Sequence, residues 1–316
     1  MTETVKIGVS ACVLGEKVRY DKSNARDPYI SETLSKHVEF IPICPDIACG
    51  MGIPRERVRQ VECGDDIRLV GEESAEDWTD RMTQWGNKVL PGLADEELHG
   101  FILKARSPSC GLQQSKIYST KGKAPRRGPG LFAKMMMESF PILPVESNER
   151  LQNPILRENF IRRIFVLKRW RDLMAVGKQI GHLVDFHTRH KMLIRAHDLK
   201  SYRQLGKLLG ESSIFNTDEI FDTYGTLLFR ALAFQATPKK NSDVLMHAMG
   251  YFKKDLDSGD KQELQAMINA YKSGKVPLLM PVTLIKHYAR KFDKPYLTQQ
   301  FFFTPHPSEL KLLNHV

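Results

Sequence analysis

The sequence has no long hydrophobic run, no internal repeat and only five cysteines in 316 residues. No stretch approaches the roughly 18 apolar residues that a membrane-spanning helix needs. Residues 1–6 also lack the charged-then-apolar order of a secretion signal. We therefore expect a cytoplasmic protein whose thiols stay reduced. The 41% hydrophobic content is enough for two hydrophobic cores.

The cysteines are few, but three of them follow short apolar runs that are typical of β-strands. Cys12, Cys44 and Cys110 follow the runs 5–9, 40–43 and 100–103, the last after a loop at 106–109. Such runs alternate with helical stretches, which predicts an α/β domain with a mainly parallel, Rossmann-like sheet. Strands of a parallel sheet end at one edge, so we expect the three thiols to converge there.

Three converging thiolates suggest a metal group with an open coordination position. Structural zinc sites usually use four ligands from paired Cys-x-x-Cys motifs, and this sequence has none. An iron–sulfur cluster can use widely spaced single cysteines, and three protein ligands leave one iron open to substrate. An open iron is a soft Lewis acid that suits a sulfur atom. The alternative is that the cysteines are small buried apolar residues.

The residues around these cysteines resemble the thiouracil desulfidase (TudS-type) family. The resemblance implies that Cys12, Cys44 and Cys110 hold a [4Fe-4S] cluster. It is carried by three blocks, which are 10–15 with 18–21, then 43–46 with Gly50, and 107–111.

The second half of the chain resembles the YbgA-like helical domain. Its matching blocks are 187–206, 241–254 and 277–284. The two resemblances together cover nearly the whole chain and are similar to the fused RudS-type desulfidases. This similarity implies removal of sulfur from 4-thiouridine in transfer RNA, with transfer RNA as the partner.

Two residues beside the proposed ligands are candidates for catalysis. Asp46 is placed to act as a general base that activates water, although a turn aspartate bonded to its own backbone is the alternative. The resembled family more often has Glu at this position. Ser107 is placed to donate to the substrate ring or relay a proton, and a turn serine is again the alternative. Ser10 and Ser109 are expected to donate to cluster sulfurs.

The remaining two cysteines match no ligand position of the resembled family. We interpret Cys49 and Cys63 as structural residues. Cys49 lies five residues after Cys44 in a glycine-rich turn, and it is the one reserve ligand that the sequence offers.

The composition changes near residue 148, which predicts domains at 1–148 and 149–316. The first segment carries a net charge of −1 and the second +11. Apolar spacing predicts an all-α second domain, with helices over 155–178, 179–197, 199–211, 217–235, 241–256, 260–272, 281–291 and 294–302. A basic segment at 121–130 is expected to be a loop.

The positive second domain is expected to contact RNA phosphates. A solvated charged helix face is the alternative. Asp185, His187 and His190 lie at metal-like spacing, but core packing or RNA contact is the preferred interpretation. The RNA-contact candidates are Arg162, Arg163, Arg169, Arg189 and Lys191.

Three functions are compatible with the sequence. The first is an RNA desulfidase, in which the thiolated base is extruded into the cluster pocket. The second is a desulfidase of free thiouracil or thiolated nucleosides, with the helical domain serving assembly or regulation. The third is a cluster-bearing sensor that binds nucleic acid.

Overall fold

The computed structural model describes residues 4–119, 126–214, 216–307, 310 and 312–314. The chain forms two compact units, Met1–Asn153 and Pro154–Val316. The first unit is α/β and the second is mostly helical, so the predicted fold class is confirmed. The division lies five residues after the boundary that composition suggests.

The first unit contains two sheets flanked by helices, with short helical turns at Tyr29–Thr33, Leu34–Lys36 and Arg150–Gln152. Its helices are α1 Ala11–Leu14, α2 Pro45–Ala48, α3 Thr79–Asp95 and α4 Leu131–Ser139. Its strands are β1 Lys6–Ser10, β2 Glu39–Ile43, β3 Val58–Cys63, β4 Asp66–Gly71, β5 Gly100–Leu103, β6 Ser115–Ser119, β7 Arg126–Gly128 and β8 Val145–Ser147.

The first sheet is parallel throughout and has the strand order β2-β1-β5-β8. Ser10 pairs with Ile43, so β1 and β2 end at the same level. The chain runs from β1 to β2 on one side and later to β5 on the other. This reversal makes a switch point beside β1, where parallel sheets form crevices for ligands.

The second sheet is mixed, has the order β4-β3-β6-β7, and was not predicted from the sequence. Strands β3 and β4 form a hairpin, and Gly64 opens its two-residue turn with a φ of 65°. A glycine accepts this left-handed conformation without strain. Residues 121–125 of the expected 121–130 loop lie outside the described residues, whereas β7 occupies 126–128.

The core of the first unit lies between the parallel sheet and its helices. Ile7, Val9 and Ile102 are fully buried, and Phe101 and Phe132 are 1% exposed. Gly8 lies between these strand residues, where an added Cβ would meet the Phe101 ring at 2.4 Å. The glycine therefore lets an aromatic ring pack directly on β1.

The second unit consists of helices in its described part, with short helical turns at Gly250–Phe252, after α9, and at Leu312–Asn314, after the last helix. The helices are α5 Pro154–Ala175, α6 Ile180–His197, α7 Leu199–Gly210, α8 Thr217–Ala233, α9 Pro238–Met249, α10 Ser258–Lys272, α11 Leu279–Lys291 and α12 Pro295–Thr298. The prediction of a helix over 294–302 was wrong in extent, since α12 ends at Thr298.

Side-chain caps explain where several of these helices begin. Asp198, Asn216, Thr237 and Asp257 each accept a hydrogen bond from a backbone N–H of the first turn. The Thr237 cap is followed by Pro238, which favours a start three residues before the one predicted. Within the described residues, none of the helices combines the length and apolar composition required to cross a bilayer.

Trp170 of α5 organises the aromatic core of the second unit. Its ring stacks on Tyr224 with centroids 5.6 Å apart and meets Phe186 edge-on at the same distance. Trp170 is 6% exposed and Tyr224 is fully buried. Aromatic burial of this extent is a major stabilising contribution in a helical domain.

Candidate active site

A cavity of about 360 Å³ lies at the carboxyl edge of the parallel sheet in the first unit. Cys12 reaches it from α1, two residues after β1, and Cys44 reaches it as the N-cap of α2. Cys110 lies in the loop after β5, and Asp46 and Ser107 also line the wall. The structure thus brings together the five residues that the sequence singled out in this unit.

The three thiols are shielded from solvent to different extents. Cys12 is 9% exposed and Cys110 is 6% exposed, whereas Cys44 is partly exposed. Burial, with a smaller contribution from Cys44, raises the pKa of Cys12 to about 11. Burial also raises the pKa of Cys44, and it raises the pKa of Cys110 further, with Asp46 adding to the shift. A bound cationic group would reverse this trend, because it stabilises the thiolates.

The donor set fits an iron–sulfur cluster better than a single metal ion. Among the described residues, no three His, Cys, Asp or Glu side chains are close enough together to hold one ion. Cys12, Cys44 and Cys110 instead line one cavity of about 360 Å³. A cluster spreads its thiolate ligands over several irons, and three ligands leave one iron accessible. These three residues would hold it.

Asp46 lies in the first turn of α2 with its carboxylate held from one side. Its Oδ2 accepts a hydrogen bond from Arg55 Nη2 at 2.8 Å. Its Oδ1 is buried and has no hydrogen-bond partner among the described residues. The ion pair therefore leaves one carboxylate oxygen available beside the three cysteines.

Ser107 shapes the loop that carries Cys110. Its Oγ accepts hydrogen bonds from the N–H groups of Ser109 and Cys110, at 3.2 and 3.1 Å. Its carbonyl accepts from the Gly111 N–H at 2.7 Å. The turn role considered from the sequence is therefore present. Ser107 also lines the cavity, and its hydroxyl retains a proton to donate.

The two serines expected to contact cluster sulfurs differ in position. Ser10 accepts a hydrogen bond from the Lys104 N–H at 2.9 Å and lies on the cavity wall. A hydrogen bond from Ser10 opposes the upward shift that burial imposes on the pKa of Cys110. Ser109 is fully buried and is not among the lining residues. Ser10 is therefore the serine that contacts a proposed ligand.

Cys49 and Cys63 lie apart from the other thiols. The Cys49 thiol donates to the Asp46 carbonyl at 3.3 Å, and Cys49 does not line the cavity. Cys63 is exposed at the end of β3. Neither takes part in the arrangement of Cys12, Cys44 and Cys110.

The sequence analysis missed the basic side chains of the cavity. Arg55 and Lys104 line it, and Tyr20 lies there between Arg19 and Arg57. The two guanidinium carbons are 5.4 and 4.9 Å from the centre of the Tyr20 ring. Arg55 and Arg57 were the available signal, but they lie in the loop between α2 and β3, where periodicity does not predict where a side chain points.

In the second unit, the assignment of Arg162 as an RNA contact was wrong. Arg162 is 2% exposed and forms an ion pair with Glu158, one helical turn earlier, which is also buried. Both lie on the face of α5 that packs inward, near His197 and Tyr271. A guanidinium in this position neutralises a buried carboxylate and cannot reach a phosphate.

Three of the other four basic candidates lie against aromatic rings. Arg169 and Arg189 lie over Phe301, with guanidinium carbons 3.8 and 4.8 Å from its centre. Burial, with a smaller contribution from Arg189, lowers the pKa of Arg169 to about 9. Lys191 Nζ lies 4.8 Å from the centre of the Tyr296 ring. Arg163 is partly exposed on α5.

The histidines of α6 pack in the core. His187 Nδ1 is hydrogen-bonded to the Tyr224 hydroxyl at 3.0 Å, and His190 Nδ1 to the Phe186 carbonyl at 2.7 Å. His190 also stacks on Phe186 with ring centres 3.9 Å apart. The preferred interpretation of these residues as core side chains agrees with this packing.

Two family models match separate segments of this chain. Residues 7–148 match the model of the 2-thiouracil desulfurase family. Residues 191–307 match the model of a protein family of unknown function, DUF1722. The solved structure of TudS, a [4Fe-4S]-dependent thiouracil desulfidase, aligns with 47% of this chain and 94% of its own, at 26% identity and a TM-score of 0.37.

Two bacterial relatives are uncharacterized proteins. YbbK of Bacillus subtilis is 29% identical over 108 residues, which are 33% of this chain and 71% of that protein. YbgA of Escherichia coli is 34% identical over 151 residues, which are 48% of this chain and 89% of that protein. The chain therefore belongs to the YbgA family, and its residues 7–148 match the model of the 2-thiouracil desulfurase family.

Proposed function

We propose that this protein is a [4Fe-4S]-dependent desulfidase that removes sulfur from 4-thiouridine in transfer RNA. The observation that carries the proposal is the cavity that Cys12, Cys44, Cys110 and Asp46 line together. It lies within the segment that matches the 2-thiouracil desulfurase family. The reaction replaces a thiocarbonyl with a carbonyl and releases sulfide. Water supplies the oxygen, so no net electron transfer is needed.

The bound cluster would supply an open iron that attracts the thiocarbonyl sulfur and makes the neighbouring ring carbon more electrophilic. Asp46 Oδ1 accepts a proton from the attacking water, because this oxygen has no other partner among the described residues. Arg55 orients the carboxylate through Oδ2. The Ser107 hydroxyl donates to a ring oxygen or nitrogen of the substrate.

Charge supports RNA as the carrier of the thiolated base. The segment 149–316 carries a net charge of +11, whereas 1–148 carries −1. Arg189 and Lys191 are partly exposed on α6 and suit phosphate contact. The sulfur of a base in a folded RNA stem is inaccessible, so the nucleotide must be extruded into the cavity.

Free thiouracil is the second candidate substrate. It is favoured by the description of the family that residues 7–148 match. The cavity of about 360 Å³ is in the range of small-molecule sites.

The experiment is anaerobic incubation of the full chain with thiolated transfer RNA, 4-thiouridine nucleoside and 2-thiouracil. Sulfide release and loss of the thiocarbonyl absorption are measured for each substrate. We expect transfer RNA to show the highest kcat/KM and the Cys44→Ala protein to release no sulfide from any substrate. A higher kcat/KM for 2-thiouracil would select the second candidate. Absence of sulfide from all three substrates, with iron bound, would exclude both.

A further inference from the structure

A group of aromatic and basic side chains lies together on one part of the second unit. Its members come from α6, α7, α9, the turn 250–252 and α12, so they are distant in sequence. We call this group the aromatic–basic patch. It consists of Lys191, Arg195, Tyr202, His247, Tyr251 and Tyr296.

The rings at the centre of the patch are in direct contact. Tyr251 stacks on Tyr296 with centroids 5.1 Å apart and planes inclined by 26°. His247 meets Tyr251 edge-on at 5.7 Å. Lys191 Nζ lies 4.8 Å from the centre of the Tyr296 ring. A cation and three rings therefore form a continuous row.

Arg195 and Tyr202 extend this row. The Arg195 guanidinium carbon lies 5.9 Å from the centre of the Tyr202 ring. Burial is the main cause that raises the pKa of Tyr296, and Tyr251 and Tyr202 add to it. The three tyrosines therefore lie close enough to interact electrostatically. Burial, then Arg195 and Lys191, lower the pKa of His247. Both charges that act on His247 are thus positive.

The patch is open to solvent although it is rich in aromatic surface. Tyr251 is 39% exposed, and neighbouring Met246 is 37% exposed. His247 is also exposed. Exposed rings beside cations suit a partner that offers flat π-faces and negative charge in alternation. A single-stranded nucleic acid has this chemistry, because each nucleotide carries one base and one phosphate.

We propose that the aromatic–basic patch binds unpaired nucleotides of an RNA strand, with a base stacked on the exposed Tyr251 ring and phosphates contacted by Lys191 and Arg195. This inference rests on the part of the proposed function that names RNA as substrate, and it specifies the kind of RNA segment. A duplex hides the faces of its bases, so rings cannot stack on them. The patch therefore selects loops or single-stranded ends.

The test uses the full chain and a labelled oligouridylate that carries no sulfur, with binding followed by fluorescence anisotropy. Tyr251→Ala is expected to weaken binding about 5- to 150-fold, the range for loss of one base–aromatic stack. Tyr251→Phe keeps the ring and should bind as the parent does. A blunt-ended RNA duplex of matched length, which has no unpaired nucleotides and binds through charge alone, should respond to neither change.

Two double variants test whether the positive charges of the patch, rather than the net charge of the protein, determine how RNA affinity depends on salt. Lys191→Glu with Arg195→Glu should lower the slope of log affinity against log salt by about 1.4, since each phosphate contact on a single strand contributes about 0.7. Lys239→Glu with Lys272→Glu is the matched control, because both side chains are exposed and the change in net charge is the same. The control should leave most of the slope intact.

Three outcomes overturn the inference. They are parental affinity in Tyr251→Ala, equal weakening of oligouridylate and blunt-ended duplex, and competition by polyglutamate as effective as by RNA, which would indicate an acidic protein partner. Sulfide release from 2-thiouracil distinguishes this test from that of the proposed function. If the protein releases no sulfide but Tyr251→Ala still weakens oligouridylate binding, the RNA-binding role of the patch stands and the desulfidase proposal fails.

Discussion

Arg55 Nη2 donates to Asp46 Oδ2 at 2.8 Å, and both side chains are largely buried. The Arg55 guanidinium also donates to the carbonyls of Val18 and Gly52, at 3.1 and 3.2 Å. It therefore joins the loop after α1, the loop after α2 and the carboxylate itself. One residue that the sequence analysis did not select holds the proposed base in place.

Loss of Arg55 should slow turnover rather than weaken substrate binding. Arg55→Met frees the carboxylate to rotate, and misplacement of a catalytic group costs on the order of 100-fold in rate. We expect kcat with 2-thiouracil to fall by about 10- to 100-fold, with a smaller change in KM. Arg55→Lys keeps the charge and should recover part of kcat. Unchanged kcat in the Met variant, with normal iron content, would contradict the positioning role.

Asp46 is tested by removing its basicity and by lengthening it. Asp46→Asn should bind the same amount of iron but lose on the order of 100-fold or more in rate, the usual contribution of a general base. Asp46→Glu should retain substantial activity. If Asp46→Asn still binds substrate but cannot activate water, its kcat is low and its KM is nearly that of the parent. A fast Asn variant would mean that another group activates water.

The cysteines divide into two groups that iron analysis can separate. Single replacement of Cys12, Cys44 or Cys110 by Ala should abolish the brown colour and the bound iron of protein purified without oxygen. Cys49→Ala and Cys63→Ala are the matched controls and should keep both. Iron loss in Cys49→Ala would instead identify a fourth ligand. A colourless, fully active parent would exclude the cluster.

The buried Arg162–Glu158 ion pair predicts that loss of Arg162 lowers the stability of the protein rather than its affinity for RNA. Arg162→Met leaves a buried carboxylate without its counter-charge, which costs about 3 to 5 kcal/mol. We expect this loss in the free energy of unfolding, measured by urea titration of the far-ultraviolet circular dichroism. The double change Glu158→Gln with Arg162→Met should cost less than the single one. Arg203→Met, at an exposed site on α7, is the control.

His197 predicts loss of stability in acid. Burial, with a smaller contribution from Arg162, lowers the pKa of this fully buried side chain to about 3, against 6.5 when unperturbed. Between these pH values the unfolded chain binds a proton that the folded chain does not, so the free energy of unfolding falls as pH decreases. At pH 5 the share of His197 is about 2 kcal/mol. His197→Gln should therefore lose less stability than the parent between pH 7 and pH 5.

Much of the architecture followed from local sequence patterns. Apolar spacing located the helices of the second unit, because a helix face repeats every three to four residues wherever the helix packs. Short apolar runs located β1, β2 and β5 for the same local reason. The positions of Cys12, Cys44 and Cys110 after these strands predicted that they converge, since parallel strands end at one edge.

Other features depended on contacts between distant residues. Arg55 lies on Asp46 only because two loops meet at the sheet edge, and nothing in their spacing encodes that meeting. Arg162 is buried because its charge is paired with Glu158 between neighbouring helices. The basic residues beside it in the sequence had indicated a solvent-exposed position. Local periodicity determined the elements and the order of the cysteines. The tertiary structure alone decided which charged side chains face the cavity, the core or solvent, because burial depends on what the other elements bring alongside.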